Sequence, residues 1–122
     1  MDDLSDRTQK FAIDVIDLAD TLPNTIASRI IINQPIKAAT SVGANYRAAK
    51  RARSDKEFIS KINIVLEESD ESGYWLEIVK VKEWGDIVKG NLLLKVSNEI
   101  TAIFVSILKK MQVKMALAKN QK

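Results

Sequence analysis

Leu4, Thr8, Phe11, Val15, Leu18 and Leu22 follow one another at alternating spacings of four and three. Only Thr8 interrupts the apolar seam, and Ala12, Ile16 and Ala19 widen it. This is the period of an amphipathic helix, predicted over about residues 4–22. Asp2 or Asp3 can cap its start, and Pro23-Asn24 ends it. A second helix is predicted over about 26–52. Ala39, Val42, Tyr46 and Ala49 form one stripe; Ala38, Ser41, Asn45, Ala48 and Ala52 form another made of small residues. Ile30, Ile31 and Ile32 alone would suit a short strand. Pro35 follows them, so either the helix starts at Asn33 or a longer helix bends there.

Ser54-Asp55-Lys56-Glu57 has the form of a capping box, in which Ser54 accepts from the Glu57 amide and Glu57 reaches back. It opens a third helix, predicted over about 55–83. Phe58, Ile62, Val65, Ser69, Ser72, Leu76 and Val79 are its seam, and Gly85 suits its stop. A fourth helix, over about 91–115, follows Gly90-Asn91. It carries two adjacent stripes, one through Leu93, Val96, Ile100, Ile103 and Ile107, the other through Ser97, Thr101, Phe104, Leu108, Met111 and Met115. The tail after it is expected to fray. Four helices joined by short turns predict one all-α domain spanning 1–122, an antiparallel up-down-up-down four-helix bundle. Helices two and four have more apolar or small-residue face than one bundle core needs, which points to a homo-oligomer.

Composition narrows the chemistry. The 122 residues contain no cysteine and no histidine. Disulfides, thiol nucleophiles and zinc knuckles are thereby excluded, and the commonest general base is missing. No catalytic residue, metal site or cofactor is expected. Glu67, Asp70 and Glu71 share a helical face, as half of a di-metal site would require. Bundle sites of that kind add carboxylates from other helices and a Glu-x-x-His pair, so these acids read as a solvated face or as partners of basic residues. Gly43 in "SVGAN" has neither the spacing nor the preceding strand of a phosphate loop, and reads as a packing glycine. No stretch of eighteen consecutive apolar residues occurs, and "MDDLSDRTQK" is unlike a signal peptide; a cytoplasmic protein with no membrane span is expected.

The net charge of +3 matters less than its distribution. The first helix is rich in acids: Asp2, Asp3, Asp6, Asp14, Asp17 and Asp20. Arg47, Lys50 and Arg51 share one face at the end of the second helix, and Arg53 follows. Lys109, Lys110, Lys114 and Lys119 form a second set on the fourth helix, with no acid after Glu99. Such clusters serve either to neutralise the phosphates of RNA or DNA or simply to solvate and pair with acidic helices.

Three blocks, "SVGANYRAA", "RSDKEFISKI" and "EESDESGYWLE", stand in an order and spacing that resembles the bundle proteins encoded in intervening sequences of bacterial 23S rRNA genes. The resemblance covers about residues 8–112. It implies an antiparallel four-helix bundle, a homopentamer, no enzymatic activity, and a relation to the accessory variability proteins of diversity-generating retroelements, which associate with nucleic acid and a reverse transcriptase. Carried over, Ser41, Gly43, Asn45 and Tyr46 are packing or interface positions on helix two. Glu67, Glu68, Glu71 and Trp75 are the matching positions on helix three, with some of these acids expected to meet Arg47 or its neighbours. Pro35 stands where the family usually has leucine, and Lys37 where it usually has arginine. The expected function is non-catalytic binding of structured nucleic acid through Arg47, Lys50, Arg51, Arg53, Lys109, Lys110 and Lys114. The alternative is a scaffold that docks a protein such as a reverse transcriptase, with Trp75 and Trp84 as anchors.

Overall fold

The computed structural model describes residues 3–120. It contains four helices: α1 (Asp3–Ala19), α2 (Ile26–Lys50), α3 (Asp55–Val81) and α4 (Ile87–Asn120). Each helix packs on its neighbour in sequence, and α4 closes on α1 through the loosest of the four helix pairs. The all-α four-helix bundle read from periodicity is therefore the observed fold.

The seams are the core. Phe11, Val15 and Leu18 of α1, Ala39, Val42 and Ala49 of α2, Ile62, Val65, Leu76 and Val79 of α3, and Leu93, Ile100 and Phe104 of α4 are buried together. Tyr46 meets Phe104 edge-on, their centroids 5.3 Å apart, and so joins α2 to α4 across the bundle. Thr8, the one polar member of the first seam, is buried and donates back to the Leu4 carbonyl at 2.9 Å. Ser69 and Thr101 share a hydroxyl hydrogen bond of 2.6 Å between α3 and α4. Among the described residues, no buried side-chain polar atom lacks a partner.

Helix boundaries differ from expectation in physically readable ways. α1 stops at Ala19, three residues early, where a turn begins that the Thr21 hydroxyl helps to close onto the Leu18 carbonyl at 2.7 Å. Asp2, one candidate cap, lies outside the described residues. α2 does not start at Asn33 but is the longer helix: Thr25 caps it, accepting from the Ser28 amide at 3.2 Å, and Pro35 lies buried inside it. Burial of the ring among neighbouring helices offsets the backbone hydrogen bond that proline removes. At α3 the Glu57 amide does reach Ser54 Oγ at 3.0 Å, but Glu57 reaches back to the Arg53 amide, one residue further than a capping box requires.

α3 ends in a Schellman motif whose left-handed residue is Glu83 (φ 54°), not glycine. The Glu83 amide bonds the Lys80 carbonyl and the Trp84 amide bonds the Val79 carbonyl. Gly85 has a different task. It takes φ 74°, and a Cβ there would lie 2.5 Å from Thr21 Oγ1 and 3.1 Å from the Thr21 carbonyl carbon. That closeness lets Thr21 Oγ1 accept from the Asp86 amide at 2.9 Å, tying the end of α1 to the start of α4. Asp86 then caps α4 by accepting from the Lys89 amide at 3.0 Å, so α4 begins four residues before the expected position and Gly90 is inside it. Gly85→Ala should destabilise the fold by about 2–3 kcal/mol, from left-handed strain plus the disturbed Thr21 bond. A urea titration checks this; a loss below about 1 kcal/mol would contradict the tight α1–α4 junction.

α4 also runs on to Asn120, about 51 Å in all for its 34 residues. Counting uninterrupted apolar runs misses how apolar it is. Averaged over eighteen residues its mean hydropathy reaches 1.4, so by length and composition it could cross a membrane. Polar residues such as Ser97, Asn98 and Thr101 merely break the run. Most of its large apolar residues are buried or half-buried in the bundle, and the exposed ones lie towards its two ends: Ile87, Val88 and Leu92 at the start, Val113 and Leu117 near the finish.

Candidate nucleic-acid interface

The antiparallel order brings the C-terminal ends of α2 and α4 to the N-terminal end of α3. There a shallow cavity of about 590 Å³ opens, with Ala49, Phe58 and Met111 among its walls and Lys50, Arg53 and Lys114 around it. Lys50 at the end of α2, Arg53 just beyond it and Lys114 of α4, together with Asp55, thus stand around a small apolar floor. Lys114 is anchored there by Asp55, Nζ to Oδ2 3.5 Å. Lys50 is held over the Tyr46 ring at 5.3 Å and bonds the Ser5 hydroxyl of α1. The hydroxyl and ring contacts of Lys50 hold its ammonium in place, whereas the exposed Lys114 already shares its charge with Asp55.

Arg47 lies one turn back, in an adjoining groove of about 410 Å³ between α1 and α2 whose lining includes Lys50, Thr40 and Gly43. Arg51 is the exposed residue that ends α2. Lys109 and Lys110 are exposed on α4 but do not line the cavity. The structure therefore assembles Lys50, Arg53 and Lys114, sets Arg47 and Arg51 beside them, and leaves Lys109 and Lys110 outside the cavity, Lys110 one turn before Lys114 on the same face of α4. Phe58 and Met111 were legible only as seam residues; nothing in the sequence marked them as floor. Ser5 carried no signal at all.

The small-residue positions are packing features. Gly43 faces Thr8 of α1, where a Cβ would sit 3.3 Å from Thr8 Oγ1. Ser41 donates to the Lys37 carbonyl at 2.8 Å, and the Asn45 side-chain amide donates to the Ser41 carbonyl at 2.9 Å. Asn45 thus finds its partner within its own helix. Trp75 is half-buried, packs edge-on to Tyr74 and donates to Glu71 at 3.4 Å. Trp84 is half-buried against the core, with Lys82 over its ring at 5.8 Å.

The expected pairing of the α3 acids with Arg47 is not what forms. Among the described residues Glu67, Glu68 and Glu71 make no ion pair with Arg47, and the cation that acts on Glu68 is Lys37. The inter-helix pairs are instead Arg7 with Glu99 and Lys114 with Asp55. Helix register explains this: Arg47 is nearly three turns beyond Lys37 and faces α1. Partial burial, then the neighbouring Glu71 and Glu67, raise the Glu68 carboxyl above its ordinary value, and Lys37 only partly opposes them. A raised acid binds its proton more tightly in the folded state, so its ionisation lowers stability as pH rises through the raised value. Glu68→Gln should therefore raise the melting temperature at pH 7, with the gain vanishing below pH about 4. Equal gains at both pH values would show that the effect is not electrostatic. No three carboxylates among the described residues are grouped to hold a metal ion.

The chain is an all-helical up-down bundle, one end of which gathers Arg47, Lys50, Arg53 and Lys114, with Asp6 and Asp55 among them. Residues 3–106 match the 23S rRNA-intervening sequence proteins, and the chain belongs to that family. A solved structure from Bacteroides thetaiotaomicron VPI-5482, described as a protein of unknown function from the S23 ribosomal protein family, is similar to it. The two share 33% identity and a TM-score of 0.79, over 87% of this chain and 98% of the other. No curated protein matches.

Proposed function

We propose that this protein is a non-catalytic homo-oligomer that binds structured RNA or DNA through its basic end. The observation that carries the reading is the convergence of Lys50, Arg53 and Lys114 around one cavity, with Arg47 and Arg51 alongside. Point cations around a shallow floor grip phosphates without reading base sequence. The exposed apolar residues Ile87, Val88, Leu92, Val113 and Leu117 of α4 support self-association, and the resemblance to the family's bundles favours five subunits. In a ring each basic tip repeats once per subunit, and modest single-site affinity becomes strong multivalent binding. The scaffold reading has less support, because both indoles are half-buried and already engaged.

A titration of the protein against a folded 23S rRNA fragment at several salt concentrations tests this. Log affinity should fall steeply and linearly with log salt, by close to one unit of slope per phosphate neutralised. Absence of binding at low salt, or an affinity indifferent to salt, would overturn it.

A further inference from the structure

The groove of about 410 Å³ between α1 and α2 is graded from one end to the other. Antiparallel packing sets Ser5 against Lys50 and Thr8 against Gly43. The groove therefore runs from Lys50 and Arg47 at the basic end to Ala12 and Thr40 further in. Arg47 forms no ion pair among the described residues. The middle is open because Gly43 and Ala44 raise so little over it; a Cβ on Gly43 would already lie 3.3 Å from Thr8 Oγ1. From Ser5 to Ala12 the groove follows α1 for about 10 Å, close to the reach of one nucleotide from phosphate to base edge.

Its polar groups accept more than they donate. The single proton of the Thr40 hydroxyl is already given to the Ile36 and Lys37 carbonyls, at 2.8 and 3.1 Å, so only its lone pairs remain for a ligand. Asp6, exposed on the α1 rim, can only accept, and Gln9 one turn on can do both. We propose that this groove holds a single unpaired nucleotide, with its phosphate at Arg47 and its base over Gly43 and Ala44, the exocyclic amino group donating to Asp6 and Thr40. Adenine has such an amino group and uracil has none. The Asp6 carboxylate repels a bare phosphate, so charge alone does not fill the site. The nucleotide is either an unpaired position in a bound RNA or the free monophosphate. The inference rests on the nucleic-acid reading above and narrows it: the cations of the basic end grip backbone, and the groove selects an unpaired base.

The test is fluorescence anisotropy in low salt, with labelled single strands of five adenylates or five uridylates and with a fully paired RNA duplex. The native protein should bind the adenylate strand at least about fivefold more tightly than the uridylate strand. Ala44→Leu puts a side chain across the groove from an exposed helical position and leaves every charge in place. It should cut that preference below about twofold, while duplex binding, which needs only the cations, stays within about twofold of native. Asp6→Asn should also erode the preference, and should strengthen uridylate binding by removing a repulsive charge. Competition by adenosine monophosphate, but not by uridine monophosphate or inorganic phosphate, would establish the free nucleotide as a ligand. A preference that the monophosphate does not compete away would confine the site to nucleotides within a strand. Equal binding of the two strands, or a preference that survives Ala44→Leu, would overturn the groove site, while duplex binding leaves the basic-end reading standing. A protein that binds neither strand nor duplex would overturn that reading and this one with it.

Discussion

The Arg47→Glu/Arg51→Glu double variant should bind a folded RNA at least about a hundredfold more weakly than the native protein in low salt. Both side chains are exposed, and neither forms an ion pair among the described residues, so the change removes positive charge without breaking a structural contact. Each guanidinium removed leaves about one phosphate without its cation, and each glutamate introduced adds repulsion. The slope of log affinity against log salt should drop by about two units per engaged subunit, a signature of weaker phosphate neutralisation that a general loss of fold does not share. Sedimentation and circular dichroism must show an intact assembly for the comparison to count. Native-like affinity and slope in the intact variant would move the function away from the end of α2. The control is Lys95→Glu: it is exposed on α4 well away from the basic tip, and should leave the slope unchanged.

Much of this architecture was legible because a bundle core obeys one period. Every residue of the α2 stripe from Ala39 to Ala49 is buried, as are Ile62 to Val79 along the α3 seam, since side chains three and four apart share a face. Ends were harder, because they depend on contacts between distant segments. Asp86 caps α4 only in company with Gly85 and the Thr21 hydroxyl, and Thr21 is 65 residues away in the chain. Glu83 takes a left-handed conformation that sequence would assign to Gly85, because the flanking amides have carbonyls waiting on Val79 and Lys80. The basic cluster was visible as a run of residues; its geometry was not. Charge spacing placed Arg47, Lys50 and Arg51 on one face, but only the antiparallel packing of α3 and α4 adds Lys114 and a floor of Phe58 and Met111. Mistaking Arg47 for the partner of the α3 acids has the same origin. Both lie on adjacent helices, and only the register, which sets Lys37 near Glu68, shows them to be on different levels.

Phe104→Ala should cost about 3–5 kcal/mol, a large part of the roughly 5–15 kcal/mol that holds a domain of this size. The ring is fully buried and touches Tyr46 edge-on, at 5.3 Å between centroids and 66° between planes. That contact spans the bundle, whereas the other helix pairs meet only as neighbours. Truncation removes the buried ring, leaves a void between α2 and α4, and forfeits the aromatic pair, itself about 0.5–1.5 kcal/mol. Relaxation cannot close the void cheaply, because Val42, Ile100 and Val65 are already buried in the same cluster. Phe104→Leu should lose distinctly less, since most of the volume remains. Leu117→Ala is the useful contrast. Leu117 is 58% exposed, so in the isolated protomer its removal should change stability by no more than about 0.5 kcal/mol. Urea titrations at one fixed protein concentration are needed, because self-association adds to apparent stability by mass action. A Phe104→Ala variant within about 1 kcal/mol of the native protein would mean that Tyr46 and Phe104 do not form the centre of this core. A Leu117→Ala loss that grows with protein concentration would instead place that side chain at a contact between copies.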